Sequence, residues 1–180
     1  MARLAEIEEI SLSTEQREIY KEIKRLRGAV RGPFAVWLRN AELAEYTLKL
    51  QDLFASRVKL ERRLVQLMIL VSARLASAQF AWFIHEPHAR ALGVAQEIID
   101  AIRERHTPDF ARDDEHLVYD ATLELHHTRT LSEATFKRGM ELLGEQRMVE
   151  LVAGIGFYSM VGMTLNAFDV PAPDSLKPLS

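Results

Sequence analysis

Residues 61–76 read ERRLVQLMILVSARLA, and after Ser77 residues 78–92 read AQFAWFIHEPHARAL. The first run is helical in composition but apolar nearly all round, through Leu64, Val65, Leu67, Met68, Ile69, Leu70 and Val71. A helix with no polar face belongs in the centre of a domain, covered on every side by other elements. Ser77 can cap a second central helix over 78–92, closed by Gly93, and Pro87 inside it should kink the axis and free the carbonyl of Phe83. A central helix pair inside an all-α bundle is the expected architecture.

Outward from this pair the periodicity stays helical. Ser13 and Gln16 have the spacing of a capping box, with Ile19, Ile23 and Leu26 on one face behind it and Gly28 at the end. Arg31-Gly32-Pro33-Phe34 reads as a turn into a short apolar piece with Trp37 and Leu38. Asn40 can cap a helix whose stripe is Leu43, Tyr46, Leu50, Leu53 and Phe54. Ile98, Ile99 and Ile102 mark a short helix, and Leu117, Val118, Ala121 and Leu125 a further one whose acidic start, 113–115, suits a helix N-terminus. Ser132 caps a helix with Phe136, Met140 and Leu143, stopped at Gly144.

The last helix, from about 146 to 167, contains the uncharged stretch 151–165, LVAGIGFYSMVGMTL. At 15 residues that stretch is short of the ~20 a membrane span wants, so a buried core helix is the better reading. Its Gly154, Gly156 and Gly162 each cost roughly 1 kcal/mol in a helix and suggest close approach of another helix. The chain of 180 residues is expected to form one domain, with its core over about 13–170 and an extended tail over 171–180.

Composition narrows the function. With no cysteine, thiol redox chemistry, iron–sulfur clusters and zinc–thiolate sites are excluded. A net charge of −3 without a basic patch lacks the footprint of a nucleic-acid binder. The N-terminus has no long apolar core of a signal peptide, so a cytoplasmic location and no membrane partner are expected. No glycine-rich phosphate loop, G-x-S-x-G elbow or H-E-x-x-H run occurs.

The residues that could carry chemistry lie on the central pair. Ala78, Ala81, His85 and Ala89 are spaced by three and four, so small residues leave room beside the His85 imidazole, with Trp82 and Phe83 on the neighbouring faces. Gln66 is the one polar residue between Leu64 and Val71, and a buried amide needs a partner. The bland reading of both stands beside this: His85 as a satisfied core residue, and Gln66 as an anchor for a freed backbone carbonyl such as that of Phe83. His85 and His88 could share a metal, but no Glu-x-x-His repeat supplies the other ligands, and no metal is expected. His126 and His127 read as a solvated helix end.

Three blocks in order give the chain a family likeness. They are Arg27-Gly28 with Arg31-Gly32-Pro33-Phe34 and 40–44 (NAELA), then 80–85 (FAWFIH) with Ala89 and Gly93, then 142–145 (LLGE), 156–158 (GFY) and 166–170 (NAFDV). In these, over roughly 19–171, the chain resembles the carboxymuconolactone decarboxylase and alkylhydroperoxidase D-like superfamily. The redox branch of that superfamily carries a Cys-x-x-Cys-x-x-x-His run with a glutamate 19 residues before the histidine. Position by position, its cysteines fall on Ala78 and Ala81, its glutamate on Gln66 and its histidine on His85. Alanine forms no sulfenic acid and resolves none, so thiol peroxidase activity is excluded by chemistry.

The decarboxylase branch implies loss of carbon dioxide from a carboxylated unsaturated lactone of aromatic catabolism, with a proton placed on carbon and no metal or organic cofactor. Two functions follow from the resemblance. One is a cofactor-free lyase or isomerase acting on a small carboxylated lactone or keto acid, with His85 as general acid or base, Gln66 as a donor to the substrate oxygen, and Trp82 and Tyr158 as pocket walls. The other is a non-catalytic relative that keeps the fold and binds a small ligand or a partner. The resemblance also implies a homo-oligomer, a trimer or hexamer.

Overall fold

The computed structural model describes residues 2–179, and within them the chain is helical with no strand. Nine α-helices follow in order: α1 (Thr14–Arg27), α2 (Pro33–Trp37), α3 (Ala41–Asp52), α4 (Arg62–Leu75), α5 (Gln79–Ala91), α6 (Gln96–Arg103), α7 (Asp113–Thr128), α8 (Glu133–Leu142) and α9 (Gly144–Ala167). The helix without a polar face, α4, is the axis on which α5, α6, α7 and α9 pack, and ten of its residues in a row or nearly so, from Leu64 to Arg74, are buried.

Helix starts obey local chemistry. Ser13 accepts from the Gln16 N–H while the Gln16 amide oxygen accepts from the Ser13 N–H, and Asn40 and Ser132 cap α3 and α8 through their side chains. Ser77 does not cap α5. It takes a left-handed backbone (φ 50°) in the turn between α4 and α5, and its hydroxyl accepts from Arg105 at 2.9 Å. Ala78, at the N-cap position, gives no side-chain bond, and α5 runs on through Pro87.

Several faces are turned relative to the sequence reading. On α3 the buried residues are Ala44, Thr47 and Leu48, whereas Leu43 and Tyr46 are exposed, the Tyr46 ring lying under the Lys49 ammonium at 5.5 Å. Leu26 on α1 and Phe136 on α8 also face out, and Gly139 rather than Phe136 lies inward, against Met148. Small residues let helices approach closely, and such contacts can outrank the size of an apolar side chain in choosing the inner face.

Helix α9 is long and apolar enough to cross a membrane by length and composition, yet half of that window is buried, packed on α4. Two of its glycines explain this approach: a Cβ at Gly154 would lie 2.8 Å from Met68 Sδ, and one at Gly162 would lie 2.9 Å from the Ala76 Cβ. Gly156, by contrast, faces open space. The tail is not simply extended. Pro173–Ser175 form a 3-10 turn, and the backbone of Leu179, itself buried, exchanges two hydrogen bonds with the Gln79 side chain at 2.8 and 2.9 Å.

Candidate functional site

Helices α4 and α5 put Gln66 and His85 face to face. The Gln66 Oε1 atom lies 2.8 Å from His85 Nδ1, so Nδ1 carries the ring proton and donates, leaving Nε2 with its lone pair. The anchor role, which would have the Gln66 amide N–H group donate to the Phe83 carbonyl, is not seen among the described residues; the side chain meets the histidine through its oxygen. The Tyr158 ring from α9 meets the imidazole edge-on at 5.6 Å, and the His88 ring, one turn along α5, stands 6.3 Å away.

Two cavities meet at this histidine. The smaller, of about 80 Å³, is walled by aromatic rings, among them Phe34, Trp37, Phe80 and Phe157, with Ala81 beside His85. The larger, of about 310 Å³, is lined by Gln66, His88, Arg62 and Phe54. Arg27, Gln51, Ile84, His85 and Tyr158 line both. The Phe80 ring of the aromatic wall packs against Gly32, whose φ of 62° is left-handed and where any Cβ would run into the ring. Pro33 then starts α2, which carries Phe34 and Trp37 into the wall.

The electrostatics follow from burial and from nearby basic side chains. Burial pushes His85 down to about 3, with the neighbouring positive charges of His88 and Arg27 adding to the effect. The imidazole is therefore neutral at pH 7, able to take a proton but not holding one to give. Burial also raises the Tyr158 phenol well above its usual range, against the smaller opposing pull of Arg27, so Tyr158 keeps its proton.

Of the residues singled out from sequence, His85, Gln66 and Tyr158 are brought together. Trp82 is placed elsewhere: it is fully buried, its indole N–H donates to Glu86 at 2.9 Å, and the Arg103 guanidinium covers its ring at 5.6 Å. It lines neither cavity, and Ala78, fully buried at the start of α5, lines neither. The space beside the imidazole comes from Ala81.

The sequence reading missed Gln51 as a site residue and gave Arg27 no role. Gln51 closes α3 just before a π-helical turn, Leu53–Arg57, whose Phe54 and Ala55 line the larger cavity. The wide turn is sealed by the Val58 N–H donating to the Leu53 carbonyl at 3.1 Å. Such turns interrupt the helical register and often sit at functional sites. Among the described residues no group of three His, Asp or Glu side chains could hold a metal.

No protein-family model and no curated protein matches the chain. Solved structures do. An uncharacterized peroxidase-related protein from Ralstonia eutropha, solved as an alkylhydroperoxidase AhpD core, superposes with a TM-score of 0.77 at 14% identity, covering 99% of this chain and 95% of that one. A second peroxidase-related protein, from a Silicibacter species, gives 0.76 at 12% identity with the same coverage of 99% and 95%. A protein of unknown function from Agrobacterium tumefaciens gives 0.64 at 18% identity over 75% of this chain and 93% of that one. The chain therefore has the fold of the alkylhydroperoxidase D-like proteins.

Proposed function

We propose that the chain is a cysteine-free member of the carboxymuconolactone decarboxylase and alkylhydroperoxidase D-like superfamily that carries out cofactor-free proton transfer on a small carboxylated lactone or keto acid. The observation that carries this reading is the Gln66–His85 hydrogen bond at the junction of two cavities. Gln66 fixes the tautomer, and Nε2 of a neutral imidazole is the group that takes the proton. It removes hydrogen from the carbon beside the substrate carbonyl, and the C–H electron pair moves onto the carbonyl oxygen as an enolate. The proton then returns from the imidazolium to another carbon, which is a net isomerisation without an oxidant. Where the substrate has a carboxylate on that carbon, the C–C bond breaks instead. Carbon dioxide leaves, its C–C electron pair passes into the same enolate, and a water molecule supplies the proton that goes onto carbon.

A depressed His85 makes a weak resting base, and this favours one rival: a non-catalytic relative that binds a ligand or partner at the same cavities. A bound carboxylate would narrow the gap, since a nearby negative charge raises an imidazole. The test is to incubate the protein with a panel of β-keto acids and carboxylated butenolides in heavy water. Nuclear magnetic resonance should reveal deuterium entering carbon or carbon dioxide leaving. No exchange with any member of the panel defeats the catalytic reading.

Two further parts of the reading stand on composition and surface. Peroxide consumption with or without a dithiol should not exceed that of a heat-treated control, because the sequence has no thiol to oxidise. We also infer a homo-oligomer, a trimer or hexamer, since α9 exposes Val149, Val152 and Met163 on its outer side next to Gly156. Light scattering at micromolar concentration should give a multiple of 20.6 kDa, and the monomer mass would overturn it.

A further inference from the structure

The wall shared by the two cavities holds one polar atom with nothing to bond. Gln51 Oε1 is shut off from solvent without a hydrogen-bond partner, although the residue lines both cavities. A buried amide oxygen left unmated is costly, and a native structure retains few of them. The residue lines both cavities, so a donor bound there is the group that would satisfy it once the amide turns toward that space. The second group common to both cavities that is free to act is Arg27, at the end of α1. It is exposed, and no carboxylate among the described residues pairs with it. A guanidinium at a cavity mouth takes carboxylate in a two-pronged hold. The smaller cavity that these two residues line is otherwise walled by aromatic side chains, Phe34, Trp37 and Phe157 among them.

We propose that Arg27 and Gln51 form a two-point subsite for a small planar hydroxy acid, with Arg27 holding the carboxylate and Gln51 Oε1 accepting from the hydroxyl or enol O–H. The inference rests on the acid–base reading for where substrate lies, and it narrows that substrate to acids bearing a second O–H, such as the enol form of a keto acid. It explains why a polar side chain stands at the seam of an aromatic wall. Gln51 is a specificity residue here and takes no proton onto carbon.

Binding to the full chain tests this without turnover. The probes are benzoate, 3- and 4-hydroxybenzoate, 4-methoxybenzoate and phenol, measured by calorimetry or ligand-observed resonance. At least one hydroxybenzoate should bind tenfold or more tighter than benzoate and 4-methoxybenzoate, because only it can donate to an oxygen. In Gln51→Met, of nearly the same length, that preference should vanish while the melting temperature holds or rises, since an unmated polar atom has been removed. Arg27→Gln should weaken every carboxylate probe tenfold or more and leave phenol unchanged. Equal binding of hydroxy and methoxy acids, a preference that survives in Gln51→Met, or no binding of any probe would each overturn the proposal. If the hydroxy acids bind through Gln51 while no deuterium exchange is ever seen, the subsite stands and the acid–base reading alone falls.

Discussion

His85 and His126 are both half-buried histidines hydrogen-bonded to the central helix, one through Gln66 and the other through Ser72. The two helix positions are six residues apart, so they lie on different faces of α4. Burial lowers both imidazoles, with nearby positive charge adding to it in each case. The difference lies in what surrounds them. His126 Nε2 ends between two hydroxyls, Ser72 at 3.2 Å and Ser159 at 3.4 Å, in a packed seam of α4, α7 and α9. His85 spends one nitrogen on Gln66 and turns the rest of its ring to two cavities, beside an unmated Gln51 oxygen and an unpaired Arg27. A depressed histidine is thus no mark of a site by itself. Space and unsatisfied partners are what separate the two.

The largest effect expected from this contrast is on turnover. General acid–base help from one side chain is worth roughly 10²–10⁴-fold, so His85→Ala should cut deuterium exchange by about that factor. His126→Ala should leave exchange intact and lower only the melting temperature. Equal losses in both variants, tracking stability, would erase the distinction. Next in size is the pH response of the site. Gln66→Glu puts a carboxylate against Nδ1, and a close opposite charge raises an ionisable group by about 1–3 units. The His85 ring resonances should then titrate that much higher than in the parent, with the His126 resonances unmoved, and an unchanged His85 titration would mean that the hydrogen bond is not the controlling contact.

How much of this was legible in the sequence differs between the fold and the site. The apolar run 64–71 has no polar face, and that alone places α4 at the centre. The caps at Ser13, Asn40 and Ser132 are local chemistry and could be read without tertiary knowledge. The inner face of α3 could not. Leu43 and Tyr46 are its bulkier side chains, and reading the face from them put Gln51 on the wrong side of the helix. The packed face is Ala44, Thr47 and Leu48, which continues to Gln51 and into the π-helical turn. Trp82 was misplaced for a related reason: spacing along α5 says which residues share a face, but not that Glu86 and Arg103 would claim the indole. The two residues that the structure brings into contact, Gln66 and His85, are those whose polarity stands out against an apolar background.

Acid should expose a third, smaller difference. In His85 the folded group titrates near 3, below the value of about 6.5 for the unfolded chain. Between those values the unfolded state binds more protons, so stability is full above pH 6.5 and is lost as pH falls toward 3. His126 is shifted in the same direction and contributes with the same sign. His85→Gln should flatten the pH dependence of unfolding by an amount on the order of 1–3 kcal/mol, measured by denaturant titration at pH 7 and pH 4. A parallel loss in parent and variant would show that other groups govern acid unfolding.

The smallest effect concerns Ser72. It is buried on α4, and its hydroxyl is one of the two partners of His126 Nε2. Ser72→Ala removes that partner and leaves the Ser159 hydroxyl, which already donates to the Ile155 carbonyl at 2.7 Å and so meets the ring only as an acceptor. In that arrangement Nε2 is the protonated nitrogen of His126, and one acceptor remains for it after the substitution. The cost should then be a single neutral hydrogen bond, about 0.5–1.5 kcal/mol by denaturant unfolding, with no change in deuterium exchange or in hydroxybenzoate binding. Gln66→Ala is the matched change on the other side of α4. It should cost comparable stability yet disturb exchange, because it frees the His85 ring to turn and to swap tautomers. If Ser72→Ala and Gln66→Ala affect exchange alike, the two sides of α4 are not distinct in function, and the role given to the cavities beside His85 fails with them.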